Sequence, residues 1–389
     1  MSRQPGSDVE LAAAAHIAFA TGASELLVSA VTELCLHGAT TRSGSVDVEA
    51  ATLMRYALSV DVEPALRAVL LSAAPTLLAV SDQVQLGRTL FREAVRMAEE
   101  CDDRDVARSV WMNANLGLVH PEDLQLRRTA AVELARFDDE EAIWESQYLR
   151  FGLSLVDGDR EALDQSVAQL RDLTLRVRWR SHKRGMDQVD AVHAFIRGDL
   201  AQAERSTEEV LVTNLRVYSS SWAISIYLAL LLPVREAQGR LQELQPHVTA
   251  LLRLSPDFIT WHAVAALTAH ARNDRVVMMR QELDHLAEHH FAFVEDFTWT
   301  AVAALTCRTI LALDDGDAAR ALYPRLLPYS GQMTWNGLST HGPVDAGLAC
   351  LASVMGDTDA ARDHMRVAAN LVARFGVPHL SWPQLRDLL

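Results

Sequence analysis

Apolar residues recur at intervals of three and four along almost the whole chain, and no stretch sustains the alternation with β-branched residues that a sheet requires. The pattern predicts an all-α protein. Superimposed on it is a recurring break in which a helix stops at glycine, an acidic or polar residue follows, and a second helix begins close behind. The break is read at Gly158-Asp159, Gly198-Asp199, Gly239-Arg240, Asn273-Asp274, Gly316-Asp317 and Gly356-Asp357, at spacings of 40, 41, 34, 43 and 40 residues. Glycine supplies the left-handed conformation that ends the first helix, and the aspartate carboxylate caps the second. Asn273 is the best non-glycine substitute for that conformation. Ala203, Ala321 and Ala361 stand five residues after their glycines, where two helices of a pair must cross closely. Extending the period backwards puts weaker breaks near His120-Pro121, Ser81-Asp82 and residues 40–45, which makes about nine helix pairs. The expectation is a right-handed α-solenoid over 44–389, preceded by an N-terminal helical cap over 1–43. Such an array grows on one continuous core, so its 389 residues need not divide into separate domains.

Composition narrows the function. The formal net charge of −15 and pI near 5.4 set a repulsive field against a phosphate backbone, so direct nucleic-acid binding is not expected. Lys183 is the only lysine, which excludes a G-x-x-x-x-G-K-[ST] phosphate loop and leaves a single side chain able to form a Schiff base. Cys35, Cys101, Cys307 and Cys350 lie far apart with no C-x-x-C spacing, and read as reduced core thiols. Asp8 and Glu10 precede the first apolar run, unlike a secretory signal, and the longest apolar run, 222–233, is too short to span a bilayer. A soluble, cytoplasmic protein is expected, with no membrane partner.

Several segments occur in an order that points to a known family. They are His120-Pro121-Glu122-Asp123-Leu124, the G-[DR]-[FL]-x-x-A break within 195–203, and Leu326-Leu327-Pro328-Tyr329 followed across a loop by Gly342-Pro343-Val344. From about Gly44 onward the sequence resembles the tetratricopeptide (TPR) region of bacterial MalT-like and LuxR-type signal-transduction ATPases and of related ATPase-linked nucleotide cyclases. The resemblance implies TPR-like helix pairs and a sensing or scaffolding role through ligand or partner binding. It does not extend to ATP hydrolysis, cyclase activity or promoter recognition, because the phosphate-binding loop is absent and a helix-turn-helix output domain would need residues beyond Leu389.

Candidate chemistry is sparse. Trp222, Trp261 and Trp299 lie 39 and 38 residues apart, close to one repeat period, each in the first helix of its pair. First helices line the concave surface of such an array, so these indoles can form an aromatic ladder along a groove, with Tyr227, His262 and Asp296 supplying polar contacts. The competing reading packs each tryptophan between neighbouring pairs. Trp144 and Tyr148 occupy the equivalent helix of an earlier pair, flanked by Glu141 and Glu145. The basic cluster of Arg176, Arg178, Arg180, His182, Lys183 and Arg184 suits either an anion or the protein's own carboxylates. His285-Leu286-Ala287-Glu288-His289 fits the inverted zinc-protease pattern H-x-x-E-H, but Glu295 is the last glutamate and the polar surroundings read as a solvated face. No metal, no cofactor and no catalytic residue is assigned. Three functions follow: a regulatory sensor whose groove binds a small molecule or a peptide or protein partner; a protein–protein scaffold with structural aromatics; and an enzyme that recruited the groove, with His193, His262 or Asp296 as acid or base.

Overall fold

A computed structural model of the protein describes residues 7–38, 48–78, 83–118, 120–176, 180–216, 218, 220–254, 260–270, 276–288, 291, 298–380 and 382. Every regular element among them is helical; the only β-type pairing is an isolated bridge between Met333 and Pro343. The first helices in chain order are α1 (Ser7–Thr21), α2 (Ser24–Gly38), α3 (Val48–Ser59), α4 (Pro64–Leu78), α5 (Val84–Cys101), α6 (Arg104–Met112), α7 (Ala114–Gly117) and α8 (Leu124–Leu134). Next come α9 (Glu140–Asp157), α10 (Arg160–Arg176), α11 (Arg180–Ile196), α12 (Leu200–Asn214), α13 (Ser220–Ala237) and α14 (Gln245–Leu254). The series closes with α15 (Thr260–His270), α16 (Val276–Glu288), α17 (Trp299–Leu313), α18 (Gly316–Leu326), α19 (Val344–Val354) and α20 (Thr358–Phe375). None of these helices is long and apolar enough to cross a membrane.

The chain forms two compact units. The first comprises Met1–Leu149, Gln169–Lys183 and Leu215–Trp222, and the second Arg150–Ala168, Arg184–Asn214 and Ala223–Leu389. In the first unit α2 packs on α1, α3 and α4, and α4 packs on α5, burying Ala15, Leu27, Val28, Leu53, Leu70 and Leu78. Each such aliphatic side chain contributes roughly 1.5–3 kcal/mol by leaving water. Packing is tight enough at α7 that a Cβ on Gly117 would run into the buried Phe91 ring. The His120-Pro121-Glu122-Asp123 segment is a 3-10 turn (Pro121–Asp123) in which the His120 ring accepts the Glu122 N–H at 3.0 Å. Buried Asp123 accepts from Arg88 at 2.7 Å and from Arg92 at 2.6 Å, so this short loop ties α5 to α8.

In the second unit α15, α17 and α19 pack consecutively, with α16, α18 and α20 each against its partner. The breaks between helices follow the expected chemistry at Gly158, Gly198, Gly239 and Gly356, which take positive φ of 61°, 78°, 70° and 79°. Asp159, Asp199 and Asp357 then accept the backbone N–H of Ala162, Gln202 and Ala360, each at 3.0 Å. At Gly316 the expectation is corrected by two residues. Asp314 holds the left-handed conformation (φ 51°), Asp315 caps α18 through the Ala318 N–H, and Gly316 is the first residue of that helix. The shift explains why Ala203 and Ala361 are buried as expected while Ala321 is exposed: Ala319, five residues after Asp314, takes the inner position. Another left-handed residue, Asp102 (φ 48°), divides α5 from α6 where no glycine marks a break. The expected breaks at 40–45, Ser81-Asp82 and Asn273-Asp274 lie outside the described residues.

Residues 330–343 form a packed loop through the interior of the second unit. The Met333 N–H donates to the Val156 carbonyl of α9 at 2.8 Å, and the Asn336 amide donates to the Ala229 carbonyl of α13 at 2.9 Å. Thr300 of α17 accepts the Trp335 N–H at 3.0 Å. Asp345, buried at the start of α19, anchors the loop's entry by accepting from Ser330 at 2.8 Å, from the Gly331 N–H and from His364. The chain after α20 also turns inward: the Trp382 indole donates to the His341 carbonyl at 3.1 Å and lies beneath the Arg308 guanidinium.

Candidate functional site

The residues expected to line one groove divide between the units, Trp222 in the first and Tyr227, Trp261, His262 and Trp299 in the second; Asp296 lies outside the described residues. The three tryptophans do occupy matching places, in the opening turn of α13, α15 and α17. In the second unit Thr260 and Thr298, each just before its tryptophan, meet at 3.0 Å between hydroxyls. Trp261 and Trp299 are 3% and 2% exposed. The Trp299 ring lies 5.1 Å from that of Tyr329, with the Arg325 guanidinium 5.9 Å over its face, so it packs against the following pair. His262 is half-buried, its Nδ1 2.7 Å from the Glu282 carboxylate and its ring 4.3 Å from that of His285. His285 therefore packs against α15, while His289 of the H-x-x-E-H pattern lies outside the described residues. Tyr227 is half-buried 6.3 Å from the His247 ring, and burial raises its phenol above the ordinary value.

His193, a candidate acid or base, is buried on α11 with Nε2 2.8 Å from Asp164, whose other oxygen is 3.0 Å from Arg160. These partners hold the Asp164 carboxyl below its usual range against the opposing effect of burial. Asp164 borders an open depression lined by Asp157, Asp159, Arg160, Glu161 and Arg374.

A more enclosed constellation lies in the first unit. α9 carries Trp144, Glu145 and Tyr148 on one face, as the i, i+1, i+4 spacing dictates. Trp144 is buried and stacks on half-buried Tyr148 at 5.2 Å and 14°, while its indole N–H donates to Thr174 of α10 at 2.9 Å. The His182 ring of α11 lies 4.5 Å from Trp144. Its Nε2 stands 3.6 Å from Glu145, beyond hydrogen-bond length, and its buried Nδ1 has no hydrogen-bond partner. Behind Tyr148, buried Arg127 of α8 donates to the Asn115 and Leu118 carbonyls at 3.1 and 3.2 Å and to the Asn115 side chain at 2.7 Å. Burial pushes the Arg127 guanidinium down to about 10, and burial together with the Glu145 charge pushes the Tyr148 phenol up to about 12. Tyr218 is near enough to Tyr148 to add to that rise, and half-buried Trp222 belongs to the same unit.

Of this cluster, sequence pattern brings forward Trp144, Tyr148 and His182 but misses Arg127. A signal exists: Arg127 shares a helical face with Ala130, Ala131 and Leu134, all buried, so a cation interrupts an otherwise apolar stripe. The basic run contributes one buried member, His182, whereas Lys183 is exposed and Arg178 lies outside the described residues. No protein-family model and no curated protein matches the chain.

Proposed function

We propose that the chain is a helical-repeat binding protein, a right-handed solenoid of about nine TPR-like pairs, that recognises a small organic molecule at the aromatic cluster around Tyr148. The repeat reading is supported by left-handed residues at Gly158, Gly198, Gly239, Asp314 and Gly356, four of them at the expected breaks. The resemblance to the TPR region of bacterial signal-transduction regulators supports a sensing role. The observation that carries the ligand reading is His182, buried beside the Trp144–Tyr148 stack with its Nδ1 unpartnered. A buried polar atom without a partner costs about 1–3 kcal/mol. Aromatic faces with a few converging polar groups, here Glu145, Tyr148 and His182, are the usual form of a small-molecule site. A bound ligand would act by population shift, stabilising the arrangement of helix pairs it prefers.

The scaffold reading draws on the second unit, where Trp261 and Trp299 are consumed by packing and residues 330–343 fill the interior. A thermal-shift screen with small organic molecules separates the two. Compounds that raise the melting temperature of the wild type and lose that effect in Tyr148→Ala support the sensor. An absence of such compounds, or stabilisation untouched by Tyr148→Ala, favours the scaffold.

A further inference from the structure

The surface of α1 is unusual for a helix at the edge of a packed unit. Its sequence, SDVELAAAAHIAFAT, is apolar on two opposite sides, with Glu10 and His16 between them. Ala12, Ala15 and Ala18 pack inward on α2, and the opposite side presents Val9, Ala13, Ile17 and Ala20 to solvent as one stripe. Val9 is 73% and Ile17 63% exposed. A surface helix ordinarily turns a polar face to solvent, as an outermost repeat does. Across the exposed His16–Glu49 pair, α3 carries apolar side chains of its own: Tyr56 stacks on Phe19 at 4.2 Å and 9°, and Val48 is 78% exposed. A stripe of exposed apolar residues flanked by charge marks an interaction site more often than scattered exposed residues do.

Charge identifies what fits it. Glu10 lies along one margin of the stripe, Glu25 and Glu33 are exposed on neighbouring α2, and His16 on the α3 side is engaged by Glu49 at 3.0 Å. A second copy of the chain would bring the same acidic margin and another net charge of −15 against this face. A helix with aliphatic anchors on one side and lysine or arginine along its edges satisfies both the stripe and its rim.

We propose that the exposed α1 stripe of Val9, Ala13, Ile17 and Ala20 is a docking surface for a basic amphipathic helix of another protein. Ala13 at the centre of the stripe lets the incoming helix approach closely, Val9 and Ile17 flank it as the apolar contact, and Glu10 meets the basic margin. The surface is separate from the Tyr148 cluster, and neither proposal depends on the other.

The test uses a fluorescent amphipathic peptide of alternating leucine and lysine at helical spacing, with a leucine/glutamate counterpart, titrated by anisotropy against the full chain. The Leu/Lys peptide is expected to bind and the Leu/Glu peptide to fail. Ile17→Asp should weaken binding about tenfold or more, roughly 1.4 kcal/mol per decade, and the charge-neutral double variant Val9→Ser, Ile17→Ser should weaken it similarly. Because Ile17→Asp adds a negative charge, unchanged or tighter binding would mean that the peptide merely adsorbs to an acidic surface, and would overturn the proposal. Sedimentation showing a wild-type dimer that Ile17→Asp dissociates would overturn it in favour of a second copy. Circular dichroism checks that both variants keep their helical content.

Discussion

At the scale of single residues, burial rather than pairing governs the most consequential ionisation. His341 is almost completely enclosed, its Nε2 3.2 Å from the Asn336 amide and its Nδ1 without a hydrogen-bond partner. The Asn336 oxygen accepts the Leu338 and Ser339 N–H groups, which turns the amide nitrogen toward His341 as a donor and leaves the imidazole proton on Nδ1. Burial, reinforced by the Arg308 charge, pushes the imidazole down to about 3. The folded state therefore favours the neutral ring, and the stabilisation is complete above the unfolded pKa near 6.5 and lost as pH falls from there toward 3. The integrated loss is of order 5 kcal/mol. Urea unfolding followed from pH 7 to pH 4 should show stability falling with acid, and His341→Gln should flatten that slope; equal slopes in the two proteins would refute the assignment. Asp123 is a buried carboxylate shared by Arg88 and Arg92. Asp123→Asn leaves buried Arg88 with only the exposed Glu122 as a charge partner and should lower stability by about 3 kcal/mol in denaturant titration.

At the scale of elements, the turns between helices are the part most plainly written in the sequence. Gly198 takes φ 78° and the following Asp199 caps α12, as the glycine–aspartate pair implies. The Asp314-Asp315-Gly316-Asp317 run offers three carboxylates and one glycine, and the chain uses Asp314 for the left-handed position and Asp315 for the cap. Aspartate tolerates that conformation well enough for the choice to fall to the packing of α18, which no local rule records. The two glycines should accordingly respond in opposite directions to the same change. Gly198→Ala forces a Cβ into left-handed backbone and should cost about 1–2 kcal/mol. Gly316→Ala sits in a helical first turn and should be neutral or stabilising by up to about 1 kcal/mol. Melting temperatures followed by circular dichroism decide it, and a large loss at Gly316→Ala would restore the glycine as the helix stop. The partners of the 330–343 loop have no local signature in the sequence. Its bonds to Val156 and Ala229 join residues 177 and 107 positions apart, a separation that helical periodicity cannot encode.

At the scale of the whole molecule, composition and pattern make the all-helical class legible, whereas the candidate site emerges only once the helices are assembled. The tryptophan spacing singles out Trp222, Trp261 and Trp299, and packing then distinguishes them: Trp261 and Trp299 are enclosed, Trp222 is half-buried. Tyr148, His182 and Arg127 come from α9, α11 and α8, and their convergence follows from helix packing rather than from spacing along the chain. The net charge of −15 acts over the entire surface, so a labelled DNA duplex should show no anisotropy change at physiological salt, and saturable binding there would contradict the electrostatic argument.

The central claim, a small-molecule site at the Tyr148 cluster, is tested most directly by calorimetric titration of the best stabilising compound into wild type, Tyr148→Ala and Tyr227→Ala. The account predicts that Tyr148→Ala weakens binding about tenfold or more while Tyr227→Ala leaves the affinity unchanged. Loss of binding in Tyr227→Ala with full affinity retained in Tyr148→Ala would contradict it and move the site to the second unit.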